Sequence, residues 1–581
     1  MTTSATGSLE TLERSLDEER RRFDIAGMAV AVIRDGTMEM ARGFGRRDEE
    51  GGLPATERTL FAIGSATKAF TAGLVAALVG DGLLSWGRPV REYLPRFALL
   101  DPVATALMTP RDLLCHRSGL PRHDLVWYAN PDLSRREVVE ERLRHLEPNR
   151  TFREVWQYNN LMYMTAGHLA GEVMGTSWEE GVRRRLLEPL GMDGTRFSPA
   201  EARATDDWSR GYRDRDGRRE EMAAKDFPVC GPAGSIYSSV ADLARWLEVN
   251  LNQGRRGEEE LIAASALLEL QKPAMVIAEE ATLWPEKFGI GYGLGWFLES
   301  YRGHRIIHHG GNIDGFSAMV MMVPEARAGA AVLTNGNGTM LPGAAAYRVI
   351  DELLGLDPLP WGERFRGFEQ ALRQGGKEAA ARRDAAAKSA PAAHGVEAYA
   401  GEYHDPGYGS VHITLESGSL RARYGVFEPE AAHRHFETWD LRLPSLMDTP
   451  IPLTFATDAE GEVTSLSVPF EASVAPIVFR RLPAADLARP ERLAAFAGDY
   501  VMGPVRARAR VGASGLTVEL VGMQTFSLEP VAGTTFSVKG QPALRVEFAM
   551  SGDSVREMVV QPGVGVFTPA PPEAEGGLSP S

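Results

Sequence analysis

The chain has 581 residues, a formal net charge of −15 at neutral pH and a pI near 5.4. That length predicts two to four domains with ample core, and an acidic chain without a basic stripe argues against a nucleic-acid binder. Cys115 and Cys230 are the only cysteines, too few for a disulfide framework, and no stretch reaches the roughly 18 apolar residues of a membrane span.

The first 22 residues are polar and charged, with no apolar signal core, so the expected place is the cytoplasm. Residues 8–23 read as a surface helix. Gly27 to Ile33 is an apolar strand, Asp35-Gly36 a hairpin turn, and Thr37 to Phe44 the return strand. Phe61-Ala62-Ile63-Gly64-Ser65-Ala66-Thr67-Lys68 then runs from a turn into an apolar helix, Ala69 to Val79. Leu83 to Tyr93 reads as a short connection. Thr109-Pro110-Arg111-Asp112 carries an N-cap with proline at the first helical position, and His116-Arg117-Ser118-Gly119-Leu120 ends that helix. Taken alone, this stretch reads as structural.

Residues 134–145 read as a charged helix. Phe152 to Gly171 begins as a loop and becomes a helix, with Tyr158-Asn159-Asn160 at the entry. Ser177 to Pro189 is a helix closed by Gly191. Residues 201–222, with six arginines, read as a solvated insertion or hairpin, and Gly231-Pro232-Ala233-Gly234-Ser235 as a tight turn. Ser239 to Leu243 starts another helix. Gly289 to Trp296 alternates glycine with larger residues, which suits a strand closely approached by other backbone and does not match a phosphate loop. Arg305 to His308, Phe316 to Val323 and Gly329 to Asn335 are strands, and Ala344 to Leu354 is a closing helix. Strands at both ends with helices between predict one α/β domain, about 24–357, whose end strands pair.

The texture changes at 358. Gly362 to Lys388 is charged and alanine-rich, and reads as a helical linker within 358–392. Beyond Pro391 short alternating runs with Gly, Pro and Asp turns predict all-β structure, such as Ser410 to Leu415, Leu420 to Val426 and Val463 to Val468. Tyr399-Ala400-Gly401-Glu402-Tyr403 recurs as Phe496-Ala497-Gly498-Asp499-Tyr500, which predicts two small barrels, 393–483 and 490–570. Residues 571–581 read as a disordered tail.

The chemistry concentrates at Ser65 and Lys68. Three apart on a helix, they share one face. A serine hydroxyl needs a proton acceptor, and a lysine with a depressed pKa can be one where an arginine cannot. Only seven of the 63 basic residues are lysines, and one stands here.

Ser65-x-x-Lys68, Tyr158-Asn159-Asn160 and His308-His309-Gly310 occur in that order. With His116 to Leu120, Pro232-Ala233-Gly234 and Gly310-Gly311-Asn312-x-x-Gly315-Phe316, the chain over about 24–350 resembles the serine β-lactamase and penicillin-binding-protein superfamily. Its class C-like branch holds D-aminopeptidases, DD-carboxypeptidases and esterases. The resemblance implies a multidomain protein, an α/β catalytic domain (1–357) followed by two lipocalin-like barrels. It implies Ser65 as acylated nucleophile, Lys68 as its proton partner, and Tyr158 as general base and acid. Asn160 would hold Lys68 and the substrate amide. His308 would stand for the lysine of Lys-Thr-Gly and Gly310 for its glycine, with the backbone N–H of Ser65 and of Gly311 as the oxyanion hole. A tyrosine acts as base only if cations lower its pKa, and Lys68 and His308 are the cations expected to do so. A histidine for lysine weakens the charge that would hold a penicillin carboxylate, so the pattern points to peptidases and esterases.

The implied function is a serine peptidase or amidase acting through an acyl-enzyme on small peptides, including D-residue-containing ones, with no cofactor and no metal. An esterase of the same fold would use the same residues, and a non-catalytic binder using its barrels is a third reading. The expected partner is a small peptide, amide or ester, with no nucleic acid, no membrane and a possible homo-oligomer. In the D-aminopeptidase type a loop from the last domain restricts the active site, so substrate binding here should depend on a loop within 400–570.

Overall fold

The computed structural model describes residues 5–571 apart from 216, 279–283, 389, 444–448, 460, 484–488, 513–514 and 553, so the tail expected over 571–581 lies almost wholly outside the described residues. Its first part is built on a nine-stranded antiparallel sheet. Helix α1 (Ala5–Arg22) precedes strands β1 (Gly27–Arg34), β2 (Thr37–Asp48) and β3 (Leu53–Pro54). Helices α2 (Thr67–Gly80), α3 (Asn160–Met174) and α4 (Val240–Leu251) follow. The chain returns through β4 (Met275–Val276), β5 (Lys287–Tyr292), β6 (Phe297–Tyr301), β7 (His304–Ile313), β8 (Phe316–Val323) and β9 (Ala328–Thr334), then α5 (Leu341–Leu353) and α6 (Trp361–Ala385). The strand order is β4-β5-β6-β7-β8-β9-β1-β2-β3. The two ends of the segment pair, from Met28 with Thr334 to Ile33 with Gly329.

Strand β1 shows why the sheet is sandwiched. Side chains alternate faces along a strand. Ala29, Ala31 and Ile33 join the core shared with α2, α3 and α4, while Met28, Val30 and Val32 join a second core under α1 and α5. A strand buried on both faces carries no polar alternation, hence its continuous apolar run. Leu12 and Leu16 anchor α1 in that second core. Helix α2 is buried from Thr67 to Leu78, so it is apolar all round rather than along one stripe.

Local chemistry sets the element ends. Thr109 and Asp112 form a reciprocal capping box, and the Asn159 side chain caps α3 by accepting from the Met162 N–H at 3.0 Å. Residues 211–215 and 218–222 pair as the polar hairpin. Two readings are corrected. Gly231–Gly234 winds one helical turn instead of a tight turn, and 134–145 is broken into three short helical pieces of different pitch.

Two closed eight-stranded barrels follow, from Gly401 to Arg481 and from Gly498 to Pro569. Tyr403 and Tyr500, one in each repeat, make the same bond: each hydroxyl donates at 2.8 Å to the carbonyl four residues earlier, of Tyr399 and Phe496. Tyr399, Tyr403, Trp439, Phe455 and Phe479 pack the first barrel, whose buried residues are continuous with the α2 core; the second barrel has a separate core. Helix α6 is fixed at both ends, Trp361 packing in the second core and Arg383 pairing with Asp440 of the first barrel. Among the described residues no helix is long and apolar enough to cross a membrane.

Candidate active site

Ser65 sits in a single tight turn, Gly64–Ala66, that feeds directly into α2. Gly64 has φ +51°, and a Cβ there would lie 2.8 Å from the Asn312 nitrogen, so this turn requires glycine. One turn on, Lys68 is fully buried. Its Nζ lies 3.1 Å from Ser65 Oγ, 2.7 Å from Asn160 Oδ1 and 2.9 Å from the Ala233 carbonyl. The last two can only accept. A neutral amine therefore gives its two N–H to them and turns its lone pair to the Ser65 hydroxyl. Burial pulls the Lys68 pKa down to about 7; Cys230 and Asp124 oppose that, and Arg122 adds to it.

Tyr158 lies beside this pair, with Nζ of Lys68 4.7 Å from its ring centre and the Arg122 guanidinium 5.2 Å away. Burial pushes the phenol's pKa up, and its hydrogen bond with Ser65 and the charge of Arg122 offset only part of that. The expectation of a phenolate held by Lys68 and His308 is therefore corrected: the phenol keeps its proton at neutral pH, and the lysine is the group poised near 7. His116, read as structural, borders the site. It is buried, its ring centre is 4.4 Å from that of Tyr158, and its Nδ1 accepts from the Asn159 N–H at 3.1 Å. It thus pins the backbone between Tyr158 and Asn160.

Strand β7 corrects the third motif by one residue. His308 faces α5: it stacks on Phe297 and its Nε2 is 3.7 Å from Glu299, itself ion-paired with Lys287. His309 faces the serine side, with its ring 6.4 Å from that of Tyr158. Its Nδ1–H donates to the Gly310 carbonyl at 2.6 Å, so Nε2, 3.1 Å from the Tyr292 hydroxyl, accepts. Burial and the nearby Lys68 charge lower its pKa to about 3, so it is a neutral group rather than a partial cation. The glycine facing the site is Gly311: a Cβ there would lie 1.9 Å from the Ile63 carbonyl oxygen, while one at Gly310 would have 3.4 Å.

The strand N–H expected at Gly311 to face Ser65 shifts too. Ile313 and Phe316 close a two-residue hairpin. In the antiparallel alternation the N–H of Ile313, Gly311 and His309 then bond to β8, and those of Gly310 and Asn312 turn to the other edge. Strand β6 covers that edge only as far as His308. Asn312, not Gly311, therefore presents a free N–H beside Ser65.

A cavity of about 510 Å³ opens over Ser65, lined among others by Arg122, Asp124, Tyr128, Asn160, Asp314 and, from the first barrel, Phe470, Glu471 and Ala472. The wall expected from a barrel loop is thus the segment between Val468 and Ile477 of the first barrel. A clip holds it. Glu471 accepts from the His123 N–H at 3.0 Å, the Tyr408 hydroxyl donates to His123 Nδ1 at 2.7 Å, and His123 Nε2–H donates to the Glu147 carbonyl at 2.9 Å. Val426 N–H adds a bond to the Ala129 carbonyl at 2.8 Å. Asp124, Arg122, His309, Tyr292 and Asn312 escaped the motif reading. Only Asn312 and His309 had a signal, their place in the quoted Gly-rich stretch.

The chain is similar to known proteins along most of its length. The beta-lactamase family profile matches residues 12–354, and that of a domain of unknown function, DUF3471, matches 385–481, the first barrel. Unguisins hydrolase ungD of Aspergillus violaceofuscus is 32% identical over 441 residues, 71% of this chain and 77% of that protein. Unguisins hydrolase ungD' of Aspergillus campestris is 30% identical over 391 residues, 64% of this chain and 70% of that protein. An octameric penicillin-binding protein homologue from Pyrococcus abyssi superposes with TM-score 0.53 at 22% identity, covering 81% of this chain and 100% of its own. A SurE crystal structure gives 0.50 at 20% identity, covering 82% and 99%.

Proposed function

The chain belongs to the beta-lactamase family, and from that premise we propose that it is a serine amidase or peptidase that cleaves small peptides through an acyl-enzyme at Ser65. The observation that carries this reading is the buried Lys68 amine, 3.1 Å from Ser65 Oγ with its pKa near 7. Ser65 Oγ attacks the substrate carbonyl carbon as its proton passes to Lys68 Nζ. The oxygen that becomes negative takes N–H bonds from Ser65 and Asn312, the largest single contribution in such reactions. As the C–N bond breaks, the proton on Lys68 reaches the leaving amine through the Tyr158 hydroxyl, which passes one proton on as it takes another. Water, activated by the same groups in reverse, then frees the acid and restores Ser65.

The substrate class rests on the cavity. Its volume of about 510 Å³ suits a small peptide. Asp124, Asp314 and Glu471 line it against one guanidinium, Arg122, a balance that favours an amine-bearing substrate. The likeness to two unguisins hydrolases supports a hydrolytic reaction, and the motif resemblance to D-aminopeptidases supports peptide substrates with D-residues. The test is a panel of p-nitrophenyl esters beside L- and D-aminoacyl p-nitroanilides, each with a free and an acetylated amine. Free-amine anilides should turn over, the D-forms fastest, and acetylation should lower kcat/KM. Turnover of esters alone would make it an esterase of the same fold.

A further inference from the structure

We propose that Asp124 is a positioning residue, orienting the Asn160 amide and through it Lys68, and that the first barrel holds Asp124 in place. This rests on Ser65 and Lys68 being the acyl-transfer pair.

A primary amide has an acceptor end and a donor end, and only its partners decide which way it points. Asn160 Nδ2 donates to Asp124 Oδ1 at 2.9 Å, so Asn160 Oδ1 is left facing Lys68 Nζ at 2.7 Å. Turned over, the amide would aim its oxygen at the Asp124 carboxylate, which repels it, and its NH2 at the lysine, where it would repel the ammonium or occupy the amine's lone pair. Asp124 thus sets the one orientation in which Asn160 can hold a lysine N–H and leave the lone pair for Ser65. A neutral residue with no acceptor at 124 would remove that choice.

Asp124 is itself fixed on both sides. Trp127 Nε1–H donates to its Oδ1 at 2.9 Å, and Arg122 pairs with its Oδ2. The neighbouring residues are held by the first barrel. His123, with φ +45°, takes bonds from Tyr408 and to Glu471, and the Leu125 carbonyl accepts from the Tyr424 hydroxyl at 3.2 Å. Three barrel side chains therefore bracket Asp124. Through the chain at 123–125 the barrel reaches the catalytic lysine by two further hydrogen bonds, from Asn160 to Asp124 and from Lys68 to Asn160.

Lys68 is also faced by Ser65 from the turn before its helix, by the Tyr158 and Tyr163 rings, by the Ala233 carbonyl and Cys230 thiol, by Arg122, and by the neutral His116 and His309. Of the residues charged at neutral pH that act on it, Asp124 favours the ammonium and Arg122 the amine.

The experiment measures the rate at which a fluorophosphonate labels Ser65 in the full-length protein, with the adduct located by peptide mass. Asp124→Ala should slow labelling about a hundredfold, the usual cost of a misplaced catalytic group. In an Asn160→Ala background the same change should alter the rate less than about threefold, because the two act as one unit. Asp124→Asn keeps the shape and an acceptor, so it should fold and label within about tenfold of wild type. Its acid limb should move to lower pH, because the charge supporting the ammonium is gone. Tyr408→Phe combined with Tyr424→Phe should slow labelling several-fold. Wild-type labelling by Asp124→Ala, equal effects in both backgrounds, an unmoved acid limb in Asp124→Asn, or an unchanged rate in the tyrosine pair would each overturn the proposal. No label on Ser65 in the wild-type protein would overturn the reading beneath it.

Discussion

At the scale of the residue, Lys68 bears two opposite consequences of burial. An amine held near pKa 7 can take the Ser65 proton at neutral pH, so the acid limb of kcat should fall near pH 7 in a pH–rate profile. Lys68→Arg keeps the charge but cannot lose it, and should cost on the order of a thousandfold in kcat, as much as Lys68→Ala. The same burial destabilises the fold. Below about pH 7 the lysine is protonated in both states and the cost is full; between 7 and 10.5 the unfolded chain alone binds the proton and the cost shrinks with rising pH; above 10.5 it is gone. Lys68→Met should therefore be inactive yet raise stability by on the order of 3 kcal/mol at neutral pH in urea unfolding, with the gain fading toward pH 10.5. The Ser-x-x-Lys spacing was legible because three residues make a helix face. Which of Lys68 and Tyr158 would be the base was not, because that depends on how burial and Arg122 act on each, and Arg122 comes from a loop far along the chain.

At the scale of the element, β7 shows where a motif reading fails. A strand slipped by one residue exchanges its faces. Ile306 and Ile307 are both buried, one on each side of the sheet, so no polar alternation marks which of His308 and His309 faces the serine. The glycines hold the answer, since Gly311 lies against the Ile63 backbone and Gly310 does not. Gly311→Ala should abolish activity by pushing β7 off the Ser65 turn, while Gly310→Ala should keep most of it. His309→Ala should lower kcat by about tenfold or more. His308→Ala should mainly lower the melting temperature, since it leaves Glu299 with Lys287 and Tyr347 alone. Parallel kcat and melting measurements on the four variants separate the two registers. The apolar α2 helix, the Thr109 cap and the closing strands were all readable, because propensity, capping and burial agree there.

At the scale of the whole molecule, the two barrels are unequal. Both were legible in their turn-rich alternation and repeated tyrosine. Which one reaches the site was not, because docking uses scattered residues, Tyr408, Tyr424 and Glu471 on one side and His123 to Ala129 on the other. The first barrel shares a core with α2, so a chain ending at 357 should aggregate. The second barrel has its own core and meets the first through contacts such as Arg545 with Asp458 at 3.0 Å. A chain ending at 483 should stay folded by circular dichroism and keep its activity. Changing Phe470 and Glu471 to alanine should flatten kcat/KM ratios between free-amine and blocked substrates more than it slows acylation by a small probe. All of this depends on Ser65 being the residue that is acylated. The direct measurement is to treat the full-length protein with a fluorophosphonate and map the adduct by peptide mass spectrometry. The adduct should lie on Ser65, disappear in Ser65→Ala and be indifferent to EDTA. An adduct on another residue, or hydrolysis persisting in Ser65→Ala at near the wild-type rate, would contradict it.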